Sequence, residues 1–241
     1  MDISRRSALF CSLLWCSTVM SGLAQEAKKP PAAKPIDVSQ YSQPIRVACV
    51  GDSITFGAGI QDREKQSYPA QLQQMLGEKW VVKNFGVSGA TMLQAGDKPY
   101  QKENAWKEAL TFKPDVLIVK LGTNDTKPQN WKHQAQFAAD TQLVIAAFRE
   151  ANAKVKIYLC LPVPAFPGRW GINEETISQG VIPTLKKVAA EAEVPLIDLH
   201  AALSQQAELF PDSVHPNAAG ARRIAVEVFQ TLTGQEAPAN K

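Results

Sequence analysis

Ser53 lies in Gly51-Asp52-Ser53-Ile54-Thr55, directly after the apolar run Ile45 to Val50. A short, β-branched apolar run reads as a buried strand. Gly-Asp-Ser and the following Phe56-Gly57-Ala58-Gly59 cannot prolong it. A doubly wound α/β sheet keeps its site outside the carboxyl ends of such strands, where Ser53 falls. A serine hydroxyl is a weak nucleophile until an adjacent base takes its proton. Gly-Asp-Ser is also ordinary turn chemistry, so the tripeptide by itself decides nothing.

The chain has three histidines to serve as that base. His133 falls in a stretch read as helix, where a solvated or packed role is the better reading. His200 follows a strand and has Asp198 two residues ahead. His215 lies in Phe210-Pro211-Asp212-Ser213-Val214-His215-Pro216, with Asp212 three residues ahead. A carboxylate at that spacing on an irregular turn can reach back to the ring, fix its tautomer and stabilise the imidazolium. Both pairs fall at the Ser53 end of the expected sheet. The loop setting favours His215, because a loop allows the reach to Ser53. Acyl transfer also needs donors aimed at an oxyanion. Gly86, whose N–H can approach a substrate closely, and Asn124, with a side-chain amide, each end a further strand. Each alone reads as a turn residue; together they supply what one reaction requires.

These residues need elements to hold them. Tyr68, Leu72, Met75 and Leu76 recur at helical spacing, with Pro69 suited to the first turn and Gly77 to the cap. Trp80 to Phe85 reads as the second strand, Val116 to Val119 as the third, Val155 to Leu161 as the fourth and Val194 to Leu199 as the fifth. Gln101 to Phe112 reads as helix. A longer helix is expected over Trp131 to Glu150, with Trp131, Ala135, Ala138, Leu143, Ile145 and Phe148 on its apolar side. Glu174 to Ala192 reads as helix broken or kinked at Gly180 and Pro183. The last helix is expected from Pro216 to about Leu232. Alternating strands and helices imply a parallel sheet covered on both faces.

The 241 residues suffice for one domain with a sizeable core. Net charge is +3, and residues 1–44 carry five Lys or Arg against three acidic residues, leaving about +1 on the remainder. That balance makes no case for a nucleic-acid partner. Arg5-Arg6 before the apolar stretch Ala8 to Met20, with small residues up to Ala24, reads as a signal peptide over 1–24. The expectation is export to the periplasm or the exterior, with a lipoprotein anchored through Cys16 ranked second. No later stretch is long and apolar enough to span a membrane. Residues 25–43, rich in Pro and Lys, read as a linker with nothing to bury. The folded domain is expected over 44–234 and a disordered tail over 235–241.

Gly51-Asp52-Ser53, Asn84-Phe85-Gly86, Gly122-Thr123-Asn124-Asp125 and Asp212-Ser213-Val214-His215-Pro216 resemble the four blocks of the SGNH (GDSL-type) hydrolase family, in its order and near its spacing. The resemblance spans about Ile45 to Leu232. It implies an α/β fold, a three-layer α/β/α sandwich with a flavodoxin-like sheet of five parallel strands in the order 2-1-3-4-5. Carried over, Ser53 is the nucleophile, His215 the base and Asp212 its orienting partner. The Ser53 and Gly86 N–H groups and the Asn124 side chain form the oxyanion hole. No metal or organic cofactor is implied. The fuller stretches around Ser53 and Gly86 look most like exported bacterial carbohydrate O-acetylesterases, including sialate and xylan O-acetylesterases.

The substrate expected is therefore a small-molecule or glycan ester, with acetyl preferred. Arg169 and Trp170, in the irregular segment Pro162 to Asn173, offer a donor fork and a flat face for a sugar. The alternatives are a lysophospholipase or thioesterase acting on longer acyl chains, and a secreted carbohydrate-binding protein with an idle triad. In the implied strand order the third strand separates Cys49 from Cys160. Adjacent strands lie about 4.8 Å apart, whereas a disulfide needs Cα atoms within about 7 Å. Both cysteines are thus expected as free, buried thiols.

Overall fold

The computed structural model describes residues 28–239; the signal peptide expected over 1–24 lies outside them. Five parallel strands form one sheet: β1 (Ile45–Gly51), β2 (Trp80–Gly86), β3 (Val116–Lys120), β4 (Lys156–Leu161) and β5 (Leu196–Asp198). Their order is β2-β1-β3-β4-β5, as the resemblance implies. The register aligns Gly51 with Gly86 on one side and with Lys120 on the other. The carboxyl ends of the three strands that carry Ser53, Gly86 and Asn124 therefore lie side by side.

The helices that position the site are α1 (Ser53–Phe56), α2 (Tyr68–Leu76), α3 (Asn104–Phe112), α4 (Phe137–Ala151), α5 (Ile182–Ala192), α6 (Leu199–Leu203) and α7 (Ala218–Thr233). The pleat sends alternate strand residues to opposite faces, and two cores result. Ala48, Val50, Leu117, Val119 and Leu159 pack beneath α3, α4 and α5. Val47, Cys49, Ile118 and Cys160 pack beneath α2, α6 and α7.

The helix expected over Trp131 to Glu150 is interrupted. A turn of helix covers Pro128–Trp131, a 3-10 turn covers Gln134–Gln136, and α4 begins only at Phe137. Phe137 is fully buried, while Leu143, expected inside, is 53% exposed. Burying a Phe contributes on the order of 1.5–3 kcal/mol, and Trp131 packs edge-on against it with ring centroids 5.7 Å apart. Those two rings fix the phase that turns Leu143 outward, while Ile145 and Phe148 are buried on the expected side. Farther on, Pro183 does not break the chain. Ile177–Val181 widens into a π turn that runs into α5 with Pro183 in its first turn. A Cβ at Gly180 would lie 2.5 Å from the Trp131 ring, so only glycine lets that ring close on the helix.

Two expectations at the chain ends are corrected. From Lys28 onward the linker is docked: Ile36 N–H donates to Leu232 O at 2.7 Å, and Ala33, Ile36 and Tyr41 pack against the α2/α7 core. The start of the tail is also held, with Ala237 on that core and Arg222 Nη2 donating to Pro238 O at 2.7 Å. Sparse apolar residues between prolines sufficed, because the end of α7 offers both an apolar surface and a free last-turn carbonyl.

Cys49 and Cys160 are free and buried. They lie on β1 and β4, with β3 between. Burial raises both thiols, that of Cys49 to about 12, so neither is reactive as a thiolate. Peptide mapping should recover Cys49 and Cys160 as thiols, and both should resist alkylation until the protein unfolds. A bridge between them in the native protein would contradict the strand order.

Candidate active site

The site begins with Asp52. Its Oδ1 accepts Ile54 N–H at 2.9 Å and so caps α1, whose first residue is Ser53. One turn later Gly57 ends the helix at φ 90°, a left-handed conformation that favours glycine. Ser53 N–H, at a helix start, has no intrahelical acceptor. The hydroxyl projects where the side chain is 8% exposed.

Across the cleft, Asp212 organises its own turn. Its Oδ1 accepts Val214 N–H at 3.0 Å and His215 N–H at 2.6 Å, and its Oδ2 accepts His215 Nδ1–H at 2.8 Å. With the proton on Nδ1, Nε2 is left as acceptor; it lies 2.8 Å from Ser53 Oγ. Burial pushes the Asp212 carboxyl up, but the hydrogen bonds from His215 and Val214 outweigh it, and the net shift is downward. Asp212 thus stays ionised beside the ring, as a group that must stabilise an imidazolium should.

His200 and His133 stand apart from this chain. His200 Nε2 meets Glu174 Oε1 at 2.6 Å, and Glu174 Oε2 accepts Ala165 N–H at 2.9 Å. Asp198, the expected partner of His200, instead caps α6 through Ala201 N–H at 2.9 Å. The Glu174–His200 pair therefore clamps the segment 162–173. His133 lies in the break before α4.

Of the two strand-end groups expected as oxyanion donors, Asn124 keeps an uncommitted amide hydrogen and Gly86 has its N–H engaged. Asn124 is 4% exposed, and its Nδ2 donates to Ala90 O at 3.1 Å, leaving one amide hydrogen. Gly86 N–H instead donates to Asn84 Oδ1 at 2.9 Å. What requires glycine at 86 is packing, since a Cβ there would lie 2.2 Å from Phe56 N. A strand-end glycine with an uncommitted N–H is Gly89, which the sequence reading passed over. Val87 to Ala90 form a turn closed by Ala90 N–H to Val87 O at 3.1 Å, with Gly89 at φ 83°. A positive φ at the third turn position is the mark of a type II turn. The turn is anchored at both ends, by Val87 N–H to Gly51 O at 2.9 Å and by Asn124 on Ala90 O. Among the described residues Gly89 N–H has no protein acceptor. Val-Ser-Gly-Ala after a strand was the signal available.

Two buried charged residues also escaped notice. Lys120, at the end of an otherwise apolar strand, contacts both Asp52 carboxylate oxygens at 3.0 and 3.2 Å, both side chains fully buried. Asp125 accepts Met92 N–H at 3.0 Å and Leu93 N–H at 2.8 Å, holding the segment after Gly89 against the Asn124 turn. Burial is the main influence on its carboxyl, pushing it up to about 7 against those two hydrogen bonds.

Beside the site, Trp170 stands with its ring centroid 5.5 Å from that of His215, and the Arg169 guanidinium lies over the Trp170 ring, 4.8 Å from its centroid. Trp170 is 53% exposed, so it does not anchor the loop in the core. Its φ of 56° is unusual for a bulky residue. Among the described residues no group of three or more His, Cys, Asp or Glu gathers as metal ligands would, and no helix is long and apolar enough to cross a membrane.

A sequence model of the GDSL-like lipase/acylhydrolase family matches residues 49–223, from β1 to α7. The chain belongs to this family. An acetylxylan esterase of Xylanibacter ruminicola is 46% identical over 199 residues. That alignment covers 75% of this chain and 42% of the relative, so the chain spans less than half of that protein. Solved structures share the fold at lower identity. An aryl esterase of M. smegmatis superposes with a TM-score of 0.65 at 20% identity, over 77% of this chain and 97% of that one. A carbohydrate acetylesterase of Sinorhizobium meliloti gives 0.63 at 18% identity, over 77% and 97%. An acetyl xylan esterase gives 0.61 at 22% identity, over 77% and 98%.

Proposed function

We propose that this GDSL-like chain is an exported serine esterase that removes acetyl groups from carbohydrates. The observation that carries the reading is the continuous line Asp212–His215–Ser53, with both links at 2.8 Å. His215 Nε2 takes the Ser53 hydroxyl proton as Oγ attacks the ester carbonyl carbon. The oxyanion that forms is met by Ser53 N–H, Gly89 N–H and the remaining Asn124 Nδ2 hydrogen. His215 then returns the proton to the departing sugar oxygen, leaving an acetyl group on Ser53. Water, activated by the same ring, hydrolyses that intermediate, and Asp212 keeps the ring in the required tautomer throughout.

The acetyl and carbohydrate parts of the reading draw on the mouth of the site and on the acetylxylan esterase relative. A sugar has apolar C–H faces edged by hydroxyls, and Trp170 beside Arg169 offers an exposed aromatic face next to a hydrogen-bond donor. Leader-directed export would bring the enzyme to polysaccharides.

The test uses p-nitrophenyl acetate and octanoate together with acetylated xylan. We expect kcat/KM to fall steeply from acetate to octanoate and acetate to be released from the xylan. Trp170→Ala should impair xylan deacetylation more than p-nitrophenyl acetate hydrolysis. Better octanoate turnover with no acetate from xylan would favour a lysophospholipase or thioesterase. No turnover of either ester would leave a carbohydrate-binding protein with an idle triad.

A further inference from the structure

Lys120 is a cation buried completely in the protein, and its two partners, Asp52 and Thr123, are each the chain neighbour of a site residue. An ion pair so placed is weak evidence for stability, since apolar replacement of both partners is often neutral or stabilising. Its geometry points to another use. The ammonium has three hydrogens and three acceptors: Asp52 Oδ2 at 3.0 Å, Asp52 Oδ1 at 3.2 Å and Thr123 Oγ1 at 2.9 Å. Asp52 precedes Ser53 and caps the helix it begins. Thr123 precedes Asn124. The main chain repeats the link, with Asp52 N–H donating to Lys120 O at 3.3 Å. A Cβ at Gly51 would lie 2.6 Å from that carbonyl, so the two strand ends meet as closely as glycine permits.

We propose that Lys120 is a positioning residue: its ammonium braces the Ser53 turn of β1 against the Asn124 turn of β3 and so sets the spacing between the nucleophile and the Asn124 oxyanion donor. The inference rests on the esterase reading above. A donor stabilises the oxyanion only if aimed where charge will develop, and a lysine with every hydrogen engaged from two turns leaves neither turn free to drift. The brace acts on the transition state more than on substrate binding, so its loss lowers kcat with little change in KM.

Thr123→Val removes one arm of the brace and keeps the ion pair. Asp52→Asn with Lys120→Met removes both charges together, so that neither is buried alone, and keeps an acceptor for Ile54 N–H. Each protein is assayed with p-nitrophenyl acetate, alone and with Asn124→Ala, with folding followed by circular dichroism. Misplacing a catalytic group by about 1 Å can lower rates on the order of 10²-fold, and we expect at least a tenfold (~10) fall in kcat, KM within about threefold, for Thr123→Val. Thr123→Ser should restore the rate. Asn124→Ala alone should lower kcat by about 10²–10³, and in that background the brace variants should add little, because the donor they aim is gone. An active wild type whose folded variants keep full kcat, or whose losses add to that of Asn124→Ala, overturns the brace alone. A wild type without turnover overturns the esterase reading and the brace with it.

Discussion

Ser53→Ala and His215→Ala should each lower kcat toward p-nitrophenyl acetate on the order of 10⁶-fold, and the double variant should be little worse than either. The two groups work as one unit: without Oγ there is nothing for the ring to activate, and without the ring Oγ keeps its proton. Residual activity should remain above the uncatalysed rate, because the donors of the oxyanion hole survive. His200→Ala is the control. Its ring is held by Glu174 at 2.6 Å and belongs to the clamp on segment 162–173. Most activity should persist in that variant. A folded His200→Ala protein that is dead while His215→Ala is active would overturn the assignment of the base.

Asp212→Asn should lower kcat by about 10⁴, with the fold intact, as the equivalent change does in a serine protease triad. The asparagine keeps Oδ1, which accepts Val214 N–H and His215 N–H, so the turn survives. In place of Oδ2 it offers an N–H, which can only donate. His215 Nδ1 must then become an acceptor and the proton moves to Nε2, the atom that should receive the Ser53 proton. The loss should fall on kcat, with thermal stability near that of the wild type. A variant that keeps full kcat would mean that Asp212 shapes the turn and does not set the tautomer.

Much of this protein is readable without its structure. Ser53 at the end of an apolar run, and Asp212 three residues before His215, are local facts. Periodicity decides the strands, and a carboxylate at i−3 on a turn reaches the ring whatever the rest of the chain does. Local spacing misled where tertiary packing decided between options of similar local energy. Asp198 and His200 were spaced almost as well as the other pair, yet one caps α6 and the other meets Glu174. Gly86 and Gly89 are both strand-end glycines. Only the folded structure shows that the first N–H turns back to Asn84 Oδ1 while the second, in its turn, has no protein acceptor among the described residues.

The sequence by itself determined the Ser53 turn after an apolar strand, the three-residue spacing of Asp212 and His215 and the alternation of strands and helices, because each follows from contacts within a few residues or from the period of apolar side chains. The tertiary structure alone decided which histidine, 162 positions from Ser53, comes within 2.8 Å of it. It also decided that the proline-rich segment docks on α7, and that Lys120 turns inward to the Asp52 carboxylate instead of outward to water. A lysine at a strand end reads as exposed because a buried ammonium is too costly without partners. Its partners lie 68 residues before it, on the neighbouring strand, and three residues after it, in the next turn, and only the folded sheet brings them to the same place.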